Sequence, residues 1–166
     1  LDQPAGALDG GRAAAPATCP LSSVPPLETL AGLPLRWPSA TPMGESFLIN
    51  PAPPLGCATS DDWVAAVRTA AAEWNDVRLG FCYDEGGTTA LGSKGKQPDG
   101  FNVLHVGNAH GALAVTTVWY DPPTGNIVEN DMVVDTGRKF SWGCVTSGAI
   151  GATQYDLLAT VLHEFG

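Results

Sequence analysis

The sequence predicts an α+β fold: a single mixed, twisted sheet of about five strands, covered by two helices. Three observations predict it. One stretch, starting at Ser60, repeats apolar residues at helical spacing, and a second such pattern closes the chain at Tyr155–Gly166. Between and before them lie short β-branched and aromatic runs, punctuated by Gly and Pro. Helices and strands interleave only partly, so a regular alternation of strand and helix is not expected.

The elements follow in order. Residues 1–35 are rich in Ala, Gly and Pro without a sustained period, which reads as a flexible leader or the remnant of a propeptide. Gly44–Asn50 is a short strand stopped by "PAPP". Ser60 is the expected N-cap of the first helix, and Asp61 and Asp62 suit the positive end of its dipole. Trp63, Val67, Ala70 and Trp74 share its apolar face, and Asn75 and Asp76 end it. Arg78–Asp84 is a second strand, and "EGGTTALGSKGKQPDG" a loop. Phe101–Asn108 is a third, central strand. "ALAVTTVWYD" and "NIVENDMVVD" are two more, joined by a turn built from Pro and Gly in "DPPTGN". Residues 136–153 form a Gly-rich loop. The last helix starts near Thr153 or Gln154, with Tyr155, Leu158, Val161 and Leu162 on its apolar side.

Composition removes several function classes. The 166 residues suffice for one domain with a core, and 44% of them are apolar. Eight Lys and Arg against 17 Asp and Glu give a net charge of −9, the wrong balance for a phosphate backbone, so no nucleic-acid partner is expected. No basic amphipathic stretch and no apolar run near the roughly 20 residues of a membrane span is present, so no membrane partner is expected. No charged-then-apolar signal segment opens the chain, and Leu1 suggests a processed or trimmed start. The four cysteines, Cys19, Cys57, Cys82 and Cys144, form no CxxC pair. Their even count and wide spacing predict two disulfides and an oxidising compartment. Three pairings are open; Cys82 with Cys144 and Cys19 with Cys57 is the preferred one.

The residues with the clearest chemistry are His163 and Glu164. In the HExxH pattern of zinc peptidases, two His one helical turn apart ligate the metal and the Glu beside the first takes the proton of the metal-bound water. Only the first half of that pattern is present, and "HE" alone is also what an ordinary surface helix end carries. His105 reads as a hydrogen-bonded strand residue and His110 as a surface loop residue. Asp131 and Asp135 are candidate calcium ligands, and a solvated acidic face is the reading preferred over that one. Trp63, Trp74, Trp119 and Trp142 read as packing residues. No Ser/His/Asp triad, phosphate loop or dinucleotide fingerprint is found.

From about Arg36 onward the chain resembles the matrixin-type metzincins, zinc metallopeptidases, and in particular the secreted bacterial matrixin-like ones. The resemblance is carried by "AAVRTAAAEWN", "NVLHVGN", "ALAVTTVWYDPPTGNIVENDMVVD" with Phe140 and Trp142, and "YDLLATVLHEFG", in that order. In the family the last stretch continues as HEFGHxxGxxH. The resemblance implies that residues 36–166 are the upper subdomain of a metzincin catalytic domain, cut inside that motif. It implies a zinc-dependent endopeptidase, with His163 as the first zinc ligand and Glu164 as the general base. Gly166 matches the small residue before the second ligand. Ala112, Leu113, Ala114 and Val115 match the edge strand that receives a protein or peptide substrate as an added strand. It further implies a secreted protein, monomeric when full length. The second and third zinc ligands are missing, and a catalytic zinc needs three protein ligands. The chain by itself is therefore expected to be inactive and to bind zinc weakly. Two other readings stay open: a non-catalytic secreted module binding extended peptides along the edge strand, and a domain in which Cys19 blocks the metal site.

Overall fold

The computed structural model describes residues 35–37, 44–76, 82–92, 97–145 and 149–165. The fold is α+β: a mixed five-stranded sheet with two helices, and a small two-stranded sheet beside it. The expected leader, apart from Leu35, lies outside the described residues.

Strand β1 (Gly44–Ile49) leads to helix α1 (Ser60–Asp76), which crosses over to β2 (Cys82–Thr88). Strands β3 (Val103–Gly107), β4 (Ala114–Tyr120) and β5 (Ile127–Asp135) follow. The strand order is β2-β1-β3-β5-β4. Four strands run parallel, and β4 pairs antiparallel with β5 at the edge. Strands β6 (Trp142–Gly143) and β7 (Tyr155–Asp156) pair in parallel just before helix α2 (Leu157–Phe165).

Local chemistry explains the boundaries. The N-cap of α1 is Thr59, one residue before the expected Ser60. Its Oγ1 accepts the Asp62 N–H at 3.1 Å, while Asp62 Oδ2 accepts the Thr59 N–H at 3.0 Å. That reciprocal pair satisfies two backbone donors that a bare helix start leaves unpaired. Trp63, Ala66, Val67 and Ala70 are fully buried on one face of α1.

Two predicted boundaries shift. The second strand was expected to end at Asp84, but β2 runs to Thr88 through Gly86 and Gly87. A bulge between Phe47 and Leu48 in the β1 register accommodates the extra residue, and Gly87 takes φ +107°, a conformation glycine alone adopts easily. The Arg78–Phe81 part of the predicted strand lies outside the described residues. Helix α2 starts three to four residues later than expected. Asp156 is its N-cap, accepting the Ala159 N–H at 3.0 Å. Tyr155 is therefore in β7 and exposed, and the fully covered α2 side chains are Leu157 and Val161, with Phe165 nearly so.

The core lies between the sheet and the two helices. Phe47, Ile49, Leu104, Met132 and Val134 meet Trp63, Val67, Leu157, Val161 and Phe165 there. Trp63 Nε1 donates to the Asn50 carbonyl at 2.9 Å, and Trp142 Nε1 to the Asp135 carbonyl at 3.0 Å, so neither buried indole leaves its donor unpaired.

The disulfide pairing differs from the preferred one. Cys57 is bonded to Cys144, with Cα atoms 5.1 Å apart. Cys82 is also disulfide-bonded, and its partner lies outside the described residues, as Cys19 does. Cys82 is a buried strand residue at one edge of the sheet. Cys57, just before α1, faces the segment that leaves β5, a contact the spacing of the cysteines does not reveal.

Candidate functional site

The site is built where the end of α2 meets the edge strand β4. Asp156 caps the start of α2, and its carbonyl accepts Thr160 Oγ1 at 2.7 Å. Leu157, Val161 and Phe165 anchor one side of the helix in the core. That fixes the rotation of the last turn and leaves His163 exposed, with Glu164 half-buried beside it.

Three neighbouring elements hold that last turn. The final carbonyls of a helix have no partner within it. Trp74 Nε1, from α1, donates to the Leu162 carbonyl at 2.5 Å. The Tyr83 hydroxyl, from β2, donates to the Phe165 carbonyl. Thr116 Oγ1, from β4, lies 3.4 Å from the Glu164 carbonyl and donates to the Glu164 carboxylate at 2.7 Å. A hydrogen bond to an ionised carboxylate is among the stronger kinds. It ties Glu164 directly to the edge strand.

Thr116 belongs to no motif, although the sequence carries a signal for it. Alternation along β4 places Ala114 and Thr116 on the helix-covered face, and Val115 and Thr117 on the other. Burial agrees: Ala114 is 8% exposed and Val115 36%. Of the four predicted substrate-strand residues, Ala114 and Val115 are in β4. Ala112 and Leu113 are not: they belong to the turn before it, where the Ala112 N–H donates to the Ala109 carbonyl at 3.0 Å. The Gly111 φ of +97° and the His110 φ of +53° make that turn, which delays the strand by two residues.

The free edge of β4 can be assigned atom by atom. The Asp135 N–H donates to the Leu113 carbonyl at 2.9 Å, so Leu113 and Asp135 form a hydrogen-bonded pair. Antiparallel pairing alternates. Val115, Thr117 and Trp119 therefore bond to β5, while the N–H and C=O of Ala114, Thr116 and Val118 point away from it. Among the described residues no strand pairs with β4 on that side.

The remaining candidates fall elsewhere. His105 is a strand residue with Nδ1 3.2 Å from the Val106 carbonyl, and His110 is exposed in the β3–β4 turn, as expected for each. Neither is near enough to other ligating side chains to form a cluster: no group of three His, Cys, Asp or Glu among the described residues is arranged to hold a metal. Asp131 and Asp135 are not a solvated acidic face, since they are 2% and 6% exposed. Their carboxylates are used internally: Asp131 accepts the Val103 N–H at 3.0 Å, and Asp135 the Gly137 N–H at 3.0 Å. Glu129, unremarked in the sequence, is also buried and accepts the Asp99 N–H at 2.6 Å. These carboxylates stitch the start of β3 and two loops to β5. Glu85 is not a loop residue either: it lies in β2 and accepts two bonds from Arg68, at 2.6 and 2.7 Å. Gly166 lies outside the described residues.

Comparison with protein-family models, with curated proteins and with solved structures finds no match for this chain. Among the described residues no helix is long and apolar enough to cross a membrane.

Proposed function

We propose that the protein is a secreted, zinc-dependent endopeptidase of the metzincin type, in which an extended peptide pairs with β4 and is attacked beside Glu164. The observation that carries the reading is the 2.7 Å bond from Thr116 to Glu164. It puts the one carboxylate suited to general-base work against the strand whose outward backbone groups suit an added peptide. The resemblance of the sequence supports the same reading, and the disulfides suit an extracellular location.

In this reading His163 is one of the three protein ligands that a catalytic zinc requires, and among the described residues no group of three ligating side chains is arranged to hold a metal. The described residues therefore do not form a zinc centre by themselves, and the reading requires two further ligands from outside them. Bound zinc would lower the pKa of its water and polarise the scissile carbonyl. The roles of this chain's own groups follow without it. Main-chain bonds from Ala114, Thr116 and Val118 orient the peptide. Glu164, aimed by Thr116, takes a proton from the attacking water and returns it to the leaving amine.

The test is hydrolysis of a quenched fluorescent peptide library by the intact natural protein, with and without zinc. Cleavage that needs zinc, falls by at least about 100-fold in Glu164→Gln, in line with loss of a general base, and is lost with the metal in His163→Ala supports the proposal. Zinc-independent peptide binding with no cleavage replaces it with the peptide-binding module.

A further inference from the structure

We infer that Arg138 and Lys139 form a carboxylate-selecting subsite at one end of the peptide groove, so that the preferred peptide carries a carboxylate on the C-terminal side of the segment paired with β4. This rests on the strand-addition reading of β4.

The basic side chains of the described residues are few, in a chain of net charge −9. Arg36 is bonded to Asn126, and Arg68 to Glu85. Arg138 and Lys139 are exposed and make neither a hydrogen bond nor an ion pair among the described residues. Two adjacent, uncompensated cations on an acidic protein create a local positive field, which selects carboxylates.

Their position gives that field a role. The chain leaves β5 at Asp135 and passes Arg138 and Lys139, while the β3–β4 turn passes over the same end of the sheet. Between them is a cleft of about 400 Å³, lined by Gly107, Asn108, Gly111, Asp135, Arg138 and Lys139. Asp135, the one acid in the lining, is 6% exposed and bonded to the Gly137 N–H. The cleft adjoins Gly111, just before the start of β4 at Ala114. Antiparallel addition is the pairing β4 already makes with β5 and is slightly the more stable kind. A peptide added that way runs opposite to β4, so its C-terminal part leaves at the Ala114 end, and from there it enters the cleft, which lies over the ends of β3 and β5, by bending across the start of β4. The carboxylate there comes either from an Asp or Glu side chain or from the peptide's own C-terminus.

Binding of fluorescent peptides to the intact protein tests this, with no demand on catalysis. Three peptides share one apolar, extended centre. One ends in Asp-Glu with an amidated terminus, one in Ser-Asn amidated, and one in Ser-Asn with a free carboxylate. The acidic peptide should bind about tenfold tighter than the neutral amidated one at low salt. In R138E/K139E, an exchange of exposed side chains that disturbs no packing, that advantage should vanish while neutral binding stays. Val118→Pro, which removes an outward N–H at the strand edge, should weaken all three. A gain for the free-carboxylate peptide as well assigns the site to any peptide carboxylate; a gain for the acidic one alone assigns it to side chains. Equal affinities in the wild type, with loss in Val118→Pro, overturn the subsite and leave strand addition standing. A preference that survives charge reversal, or acidic-peptide binding that Val118→Pro does not weaken, overturns the subsite as stated. Binding of none of the peptides overturns both.

Discussion

Removing the Cys57–Cys144 bridge, as Cys57→Ala/Cys144→Ala, should lower stability by a few kcal/mol. The two cysteines are 87 residues apart in sequence. Closing a loop of that length in the unfolded chain costs roughly 4.6 kcal/mol of entropy at 25 °C in the chain-entropy model. The bond at Cys82 already restrains part of the same span, so that figure is an upper bound and about 2–4 kcal/mol is expected. The loss should concentrate near the site. Trp142 is fully buried two residues from Cys144, its carbonyl accepts Gln154 Nε2 at 2.9 Å, and the Tyr155 N–H donates to the Ser141 carbonyl at 2.8 Å. The bridge thereby steadies the segment that feeds α2. Urea titration followed by tryptophan fluorescence measures the change. With a slope of about 1–3 kcal/mol/M, the midpoint should fall by roughly 1 M or more. A shift of less than about 0.3 M, with the wild-type bridge verified by mass spectrometry, would refute the reasoning.

Other expectations concern single side chains. Thr116→Val keeps the shape of the side chain but removes its bond to Glu164; stability should fall by about 1 kcal/mol and peptide cleavage by about tenfold through kcat, with Thr116→Ser restoring both. An unchanged kcat in Thr116→Val counts against Thr116 as a positioning residue. Gly137→Ala should cost more than about 2 kcal/mol by thermal melt, because Gly137 has φ +82° and an added Cβ would lie 2.6 Å from the Leu55 carbonyl oxygen; a neutral melt would contradict the packing described. Arg68→Met should change stability by less than about 1 kcal/mol, since its pair with Glu85 is more than half exposed on the Arg side. The hydrogen bond to Glu85 raises the Arg68 pKa, so what the pair contributes is present through neutral pH and lost only as strongly alkaline solution strips the guanidinium. A stability step near neutrality that disappears in Arg68→Met would contradict that sign.

The fold was legible where one period dominated. The Trp63, Val67, Ala70 pattern located α1 to within a residue, and the β-branched runs located β3, β4 and β5. It was obscured where local and tertiary signals conflict. Gly86 and Gly87 look like a loop, yet β2 continues through them because pairing with β1 outweighs their propensity. Tyr155 fits a helical stripe, yet Asp156 caps the helix one residue later. The candidate site was half legible. His163 and Glu164 stand out as a pair at the end of α2, where His163 is exposed and Glu164 half-buried. Thr116, Trp74 and Tyr83 could not be assigned to that helix end from spacing, because each reaches it from a different element. Asp131 and Asp135 looked solvated because charge alone does not show that a backbone N–H is waiting for each carboxylate.

The most direct test of the account is amide hydrogen exchange across β4, read residue by residue, with and without a saturating extended peptide. Val115 and Thr117 bond to β5 and should exchange slowly in both states. Ala114, Thr116 and Val118 point outward and should slow by at least about tenfold when the peptide is present, as newly paired amides do. Unchanged exchange at those three amides, with peptide demonstrably bound, would contradict strand addition at β4 and remove the ground for placing a substrate beside Glu164.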